Sequence, residues 1–271
     1  MAVDHYENFP VASILLPKRL RRPVEIIYRF ARQADDFADE GDAPNEERLA
    51  QLDTFRAELD RIAAGETPQM QLFRDVAQIV AGYQLPLQLF HDLLDAFAQD
   101  VVKKRYADFD EVLDYCRRSA NPVGRLLLHL YGEATPQNLA YSDDICSALQ
   151  LINFWQDVKK DYAIGRIYLP LEEMEKFGVT EQHIAEGLAN AEWRELMDFQ
   201  VQRAREMMRR GAPLGSILAG RIGLEMRMIV AGGNRILRKL QAVNYDMFER
   251  RPVLRWHDWV IMLGQSAPFN F

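Results

Sequence analysis

The chain has 271 residues, 48% hydrophobic and 27% charged, a balance that supports a packed core and excludes a disordered polar chain. Its net charge of −7 excludes a general nucleic-acid backbone binder, so no nucleic-acid partner is expected.

Helical periodicity runs through the whole chain, and no alternating strand pattern with Asn-Gly or Asp-Gly turns interrupts it. Pro17 and Pro23 bracket the start of a first long helix, roughly Arg21 to Glu40, which Gly41 to Pro44 ends. Glu46 to Ala64 follows, with Leu49, Leu52, Phe55, Leu59 and Ile62 at three- and four-residue steps. Met70 to Gly82 and a segment from Pro86 to about Lys104 come next, then Phe109 to Tyr131 and Gln137 to Tyr162. Gly165 to Pro170 reads as an ordered loop. Short helices are predicted over Leu171 to Phe177 and Thr180 to Glu186, long ones over Ala191 to Arg210 and Pro213 to Val243, and a last short one over Trp256 to Leu263. Connections are short, with no repeat and no linker rich in Gly, Ser and Pro. The expectation is one all-α domain over residues 1–271, with about ten helices and ligand sites between facing helices.

Cys116 and Cys146 are too few for a disulfide scaffold and lack zinc-like spacing; they suit core positions in a reducing compartment. The N-terminal stretch lacks the basic-then-apolar order of a secretory signal, and no apolar run approaches the roughly 20 residues needed to cross a bilayer. A cytoplasmic protein is expected, soluble or peripheral at the inner face of the membrane. The basic cluster Lys18, Arg19, Arg21 and Arg22 offers two roles, capping the first helix or touching anionic lipid, and the first is favoured.

Two acidic stripes carry the chemistry. In the first helix Asp35 and Asp39 lie four apart and share a face, with Asp36 beside them; Arg32 is one turn earlier and Tyr28 one turn before that. In the segment Gln150 to Asp161, Asn153, Asp157 and Asp161 repeat at four and four, and Gln150 adds a polar group three residues before Asn153. Leu149, Leu151, Ile152, Phe154 and Trp155 flank this second stripe, so it does not read as a plain solvated face. Carboxylates four apart also occur on ordinary exposed helices, where their repulsion is a few tenths of a kcal/mol; two stripes with phenol or amide companions are harder to explain that way. Two such stripes facing one another make chemical sense as a Mg²⁺ site, because that hard cation takes one or two carboxylates together with phosphate oxygens and water. It would bridge the aspartates to a diphosphate and stabilise its departure, while Arg and Tyr side chains held the other phosphate oxygens.

Phosphate-loop, dinucleotide and His-Glu-x-x-His motifs are absent, and no His has a Glu three residues before it, as a di-iron bundle requires. His91 and His129 read as core or supporting groups, and Met207, Met208, Met226 and Met228 as core packing.

These motifs resemble the squalene/phytoene synthase family of all-α prenyl-diphosphate enzymes, and the likeness extends from His5 to about Arg250. It rests on Asn8-Phe9 through Leu15-Leu16-Pro17, on Tyr28, Arg32, Asp35, Asp36 and Asp39, on Gln150, Asn153, Asp157 and Asp161, and on the loop Gly165-Arg166-Ile167-Tyr168-Leu169-Pro170. The resemblance implies an isoprenoid-synthase-type bundle around a central cavity. It implies that Asp35, Asp39, Asp157 and Asp161 are the catalytic metal ligands for Mg²⁺. It assigns Tyr28, Arg32, Gln150, Asn153, Tyr168 and Arg250 to the diphosphate. Tyr115, with Ala120 and Gly124, would border the prenyl cavity.

Three departures resemble the bacterial, hopanoid-pathway branch of the family, which ionises presqualene diphosphate and captures the cation with water. Gln156 stands where the family usually has Arg, Lys160 where it usually has an acid, and Gly233 near the start of a late helix where it often has Tyr. One fewer Arg suits an enzyme that ionises one diphosphate, and Gly233 would leave space for the capturing water. Phe9, Phe154 and Trp155 offer aromatic faces to the cation, with packing the favoured role for Trp155. A presqualene diphosphate synthase would hand on the substrate. The alternatives are condensation of two prenyl diphosphates to presqualene diphosphate or phytoene, or a non-catalytic assembly protein of the same fold; the four aspartates stand against the last.

Overall fold

A computed structural model describes residues 16–266. Asn8, Phe9 and Leu15 of the expected motif lie outside them. Thirteen helices and no strand are found among the described residues. They are α1 (Lys18–Asp39), α2 (Asn45–Ala63), α3 (Gln71–Tyr83), α4 (Gln88–Val102), α5 (Phe109–Ser119), α6 (Asn121–Tyr131), α7 (Pro136–Ala163), α8 (Leu171–Lys176), α9 (Glu181–Glu186), α10 (Ala191–Gly211), α11 (Leu214–Ile217), α12 (Gly220–Ala242) and α13 (Trp256–Ser266). None is long and apolar enough to cross a membrane.

The expected helices appear with two added breaks. The segment Phe109 to Tyr131 divides at Ala120, because Pro122 lacks the N–H that a continuous helix needs. The segment Pro213 to Val243 divides at Leu218, whose backbone is extended (ψ 130°). A Cβ on Gly223 would lie 1.9 Å from the Leu218 carbonyl oxygen, so only glycine lets α12 start against that carbonyl. Pro23 also differs from expectation: it sits inside α1, not at its border. The Arg19 carbonyl, which a residue with an N–H at position 23 would have bonded, accepts a long hydrogen bond of 3.4 Å from the Tyr83 hydroxyl.

The described residues form two compact units. One comprises Leu16–Lys103 and Tyr115–Leu139. Its core is a phenylalanine cluster that ties α1 to α2, α3 and α4. Phe30 meets Phe55, Phe73 and Phe90 with ring centroids 5.8, 5.7 and 5.1 Å apart, and all four rings are fully buried. Arg48 of α2 finishes α1: its guanidinium donates to the carbonyls of Phe37, Ala38, Gly41 and Ala43 at 2.6–3.2 Å. A cation thereby satisfies the orphan carbonyls at the negative end of the helix dipole. The basic cluster at the other end of α1 does not cap it. The unpaired groups there are N–H donors, which Lys and Arg cannot satisfy, and the N-cap Pro17 offers no side-chain bond. Arg21 instead donates back to the Leu16 carbonyl at 3.3 Å.

The second unit contains, among the described residues, Lys104–Asp114 and residues 140–266. The middle of α7 is its buried axis, with Leu151, Ile152, Phe154, Trp155 and Gln156 all buried. Helix α12 comes so close that a Cβ on Gly233 would lie 2.5 Å from the Met208 methyl, 3.2 Å from Leu149 and 3.3 Å from Ile152. Both cysteines are buried and neither is in a disulfide, as their composition suggested. His91 is not a core group: it is half-buried, with Nε2 3.6 Å from Asp60. His129 is half-buried too, and burial followed by the Arg125 charge holds its pKa below the ordinary value.

Candidate active site

The first acidic stripe lies in the last two turns of α1, which Arg48 and the phenylalanine cluster hold in place. Arg32 spreads its guanidinium over three carboxylates, at 2.8 Å from Asp36, 2.6 Å from Glu40 and 3.5 Å from Asp35. Asp35 is half-buried, and Asp39 is exposed. Tyr28 is half-buried one turn before Arg32. Burial and the charge of Asp39 push the Asp35 carboxyl up to about 7; Arg32 opposes them, and Asp100 and Asp36 add to the rise. Asp35 is thus a carboxylate whose ionisation costs free energy until a cation offsets it.

Asp100 was not picked out in the sequence. It lies on α4, buried, and accepts a 2.5 Å hydrogen bond from the Tyr115 hydroxyl. Tyr115, itself buried, is therefore anchored by an acid near the first stripe. The available signal was a carboxylate at three and four residues from Phe97 and Ala96, on the apolar face of α4. Gly124 is buried in α6, and Ala120 precedes that helix.

In the second unit, Gln150, Asn153, Asp157 and Asp161 form a half-buried line along α7, between buried apolar neighbours. Asp157 accepts both arms of Arg251, from Nε at 2.6 Å and Nη2 at 3.0 Å, and has the Lys160 ammonium at 3.3 Å. The arginine that meets this stripe is Arg251 and not Arg250, whose side chain is exposed. Gln156 explains the placement. It is buried and donates from Nε2 to the Pro252 carbonyl at 2.6 Å, fixing the backbone beside Arg251.

The loop Gly165 to Pro170 is held against residues 104–106. Ile167 N–H donates to the Lys104 carbonyl at 3.0 Å, and Arg105 donates to the Gly165 carbonyl at 2.5 Å. Tyr168 is buried between two rings. It stacks on Phe154 at 3.8 Å, almost parallel, and on Tyr106 at 5.5 Å. Phe154, Trp155, Asp161, Arg166 and Tyr168 are among the residues lining a small cavity of about 10 Å³, the size of one water. Trp155 is fully buried, which agrees with packing.

The space expected beside Gly233 is filled. Met208, Leu149 and Ile152 reach it, and Gly233 lies past the middle of α12, not near its start. It serves close helix packing, and no room for a water follows from it.

Among the described residues, no three acidic, His or Cys side chains gather into a preformed cation cluster. The donors nevertheless fit Mg²⁺ in the way it binds a diphosphate: each stripe presents hard carboxylate oxygen four residues from a second one, leaving phosphate and water to complete the shell.

The squalene/phytoene synthase family profile matches residues 2–258. The chain belongs to that family. A hydroxysqualene synthase of Rhodopseudomonas palustris is 37% identical over 238 residues, 87% of this chain and 80% of that one. A phytoene synthase of Mycobacterium tuberculosis is 33% identical over 172 residues, 64% of this chain and 56% of that one. The crystal structure of squalene synthase HpnC from Alicyclobacillus acidocaldarius matches with a TM-score of 0.83 and 35% identity, covering 90% of this chain and 91% of that one. Membership of the family agrees with the all-α architecture.

Proposed function

We propose that this chain is a hydroxysqualene synthase of hopanoid biosynthesis. It ionises presqualene diphosphate and captures the rearranged cation with water, yielding hydroxysqualene, diphosphate and a proton. The observation that carries this reading is the likeness to the Rhodopseudomonas hydroxysqualene synthase, which is higher and longer than that to the mycobacterial phytoene synthase.

In this reading Asp35, Asp39, Asp157 and Asp161 hold Mg²⁺, which neutralises the leaving diphosphate when bound. The chain's own groups do the rest. Arg32, Tyr28, Gln150, Asn153 and Tyr168 orient the diphosphate, and Tyr115, fixed by Asp100, borders the hydrocarbon chains. The carbon–oxygen bond breaks with its electron pair leaving on the diphosphate. The cyclopropylcarbinyl cation then rearranges beside aromatic faces such as Phe154, whose orientation the Tyr168 stack fixes. Water adds its lone pair to the cation and loses a proton. Arg251 is the residue to exchange partners in this cycle, since its guanidinium now neutralises Asp157 and can pass to a phosphate oxygen. The substrate would come from an enzyme that condenses two farnesyl diphosphates.

A second reading, condensation of two prenyl diphosphates, draws support from the likeness to the squalene synthase HpnC of Alicyclobacillus. One assay separates them. Purified protein is given presqualene diphosphate with Mg²⁺ and no reductant, and in parallel farnesyl diphosphate. Hydroxysqualene from the first supports the proposal; turnover of farnesyl diphosphate with none of presqualene diphosphate refutes it.

A further inference from the structure

Helix α13 is amphipathic the wrong way round. Its inward side carries Asp258 and Met262, four residues apart and both buried. Asp258 accepts from Arg235 Nε at 2.6 Å, Lys239 Nζ at 2.5 Å and the Arg255 N–H at 2.7 Å, so a buried ionic knot pins α13 to α12. The outward side carries Trp256, Trp259 and Val260, at the i, i+3, i+4 spacing of one helix face. Trp256 is 80% exposed and Val260 63%, with Trp259 at 37% and the adjoining Ile261 at 39%. An ordinary surface helix turns its apolar side in and its charges out. Here burying the charge costs desolvation that only these hydrogen bonds offset, and the result is to fix an apolar face outward.

We propose that this face of α13 is an interfacial contact for an anionic lipid surface. Tryptophan carries an apolar ring and a polar N–H, which suits it to the headgroup boundary. The exposed side chain immediately before Trp256 is Arg255, a fixed positive charge beside the tryptophan on a chain of net charge −7. Arg235 and Lys239 are taken up by Asp258, and His257 Nε2 lies 3.7 Å from the same carboxylate, which leaves Arg255 to meet phosphate. The contact stands on α13 alone and is independent of the reaction proposed above. It would place an enzyme of long apolar substrates where such molecules dissolve.

The test is sedimentation of the full chain with vesicles of phosphatidylcholine, with and without phosphatidylglycerol, in the absence of any substrate. Binding to the phosphatidylglycerol vesicles, weak binding to the neutral ones and a blue-shifted tryptophan emission are expected. The double variant Trp256→Ser, Val260→Ser, altering two exposed side chains, should bind about tenfold more weakly or worse while keeping its helix content and melting temperature. Arg255→Gln should lose most of the preference for phosphatidylglycerol. No binding to either vesicle, equal binding to both, or unchanged binding by the double variant would overturn the proposal. So would a wild-type dimer that the double variant makes monomeric, which would assign the face to a second copy of the chain.

Discussion

Asp35 makes the proposed metal chemistry sensitive to pH in a direction that can be worked out. Its carboxyl is pushed up to about 7 from an ordinary 3.8, so near neutrality a proton and a cation compete for the same oxygens. With one such group, the apparent affinity for Mg²⁺ scales with its ionised fraction. That fraction is about one tenth at pH 6 and about nine tenths at pH 8, so affinity should rise roughly tenfold between them. Binding at pH 6 should release close to one proton, and binding at pH 8 almost none. The metal-free protein gives the complementary sign. A raised folded-state pKa means that the native chain holds the proton which the unfolded chain has lost. The stabilisation is therefore complete below about pH 4 and is lost as pH rises through about 7. Asp35→Asn should remove that slope and leave the metal-free protein the more stable of the two at pH 8. Calorimetric titration with Mg²⁺ and inorganic diphosphate at the two pH values, in buffers of different ionisation enthalpy, measures both affinity and proton release. Equal affinity at pH 6 and pH 8 with no proton release would rule out this competition at Asp35, as would a carboxyl resonance of Asp35 titrating near 4.

Asp157→Asn and Asp35→Asn should each abolish turnover without unfolding the chain; retained turnover in either, with an unchanged circular-dichroism melt, would remove that residue from the metal site. Arg48→Ala strips two hydrogen bonds from the end of α1 and two from the turn after it and should destabilise by about 1–3 kcal/mol in urea unfolding, with loss of less than about 0.5 showing that the end of α1 is held by packing alone. Gly233→Ala gains about 1 kcal/mol in helix propensity but meets Met208 at 2.5 Å, an overpacking cost of about 1–3 kcal/mol; net destabilisation is expected, and a stabilised variant would mean that the space is open after all. Asp258→Ala leaves Arg235 and Lys239 without their buried partner and should cost about 3–5 kcal/mol, read from the shift in urea midpoint.

What the sequence made legible was local. Helical spacing located the segments because packing against a core imposes that period on one face of each. The two stripes were visible because carboxylates four apart share a face wherever a helix forms. Breaks that depend on a single backbone contact were not visible: the division of α11 from α12 turns on a carbonyl that only Gly223 can approach. Contacts across long separations were equally hidden. Arg251 lies 94 residues from Asp157, and nothing in its neighbourhood distinguishes it from Arg250 until Gln156 takes the Pro252 carbonyl. Asp100 looked like one more acid on a helix, and only burial and the Tyr115 hydroxyl mark it out. The reading of Gly233 as room for water failed for the same reason, since the methyl that fills the space comes from Met208 on another helix.

In the proposed reaction this chain breaks a carbon–oxygen bond and closes the cation with water. A single turnover of presqualene diphosphate with Mg²⁺ in oxygen-18 water tests it directly. A C30 alcohol carrying the heavy oxygen and a released diphosphate carrying none are expected. An unlabelled alcohol, or label in the diphosphate, would mean that the phosphorus–oxygen bond breaks instead and would contradict the mechanism.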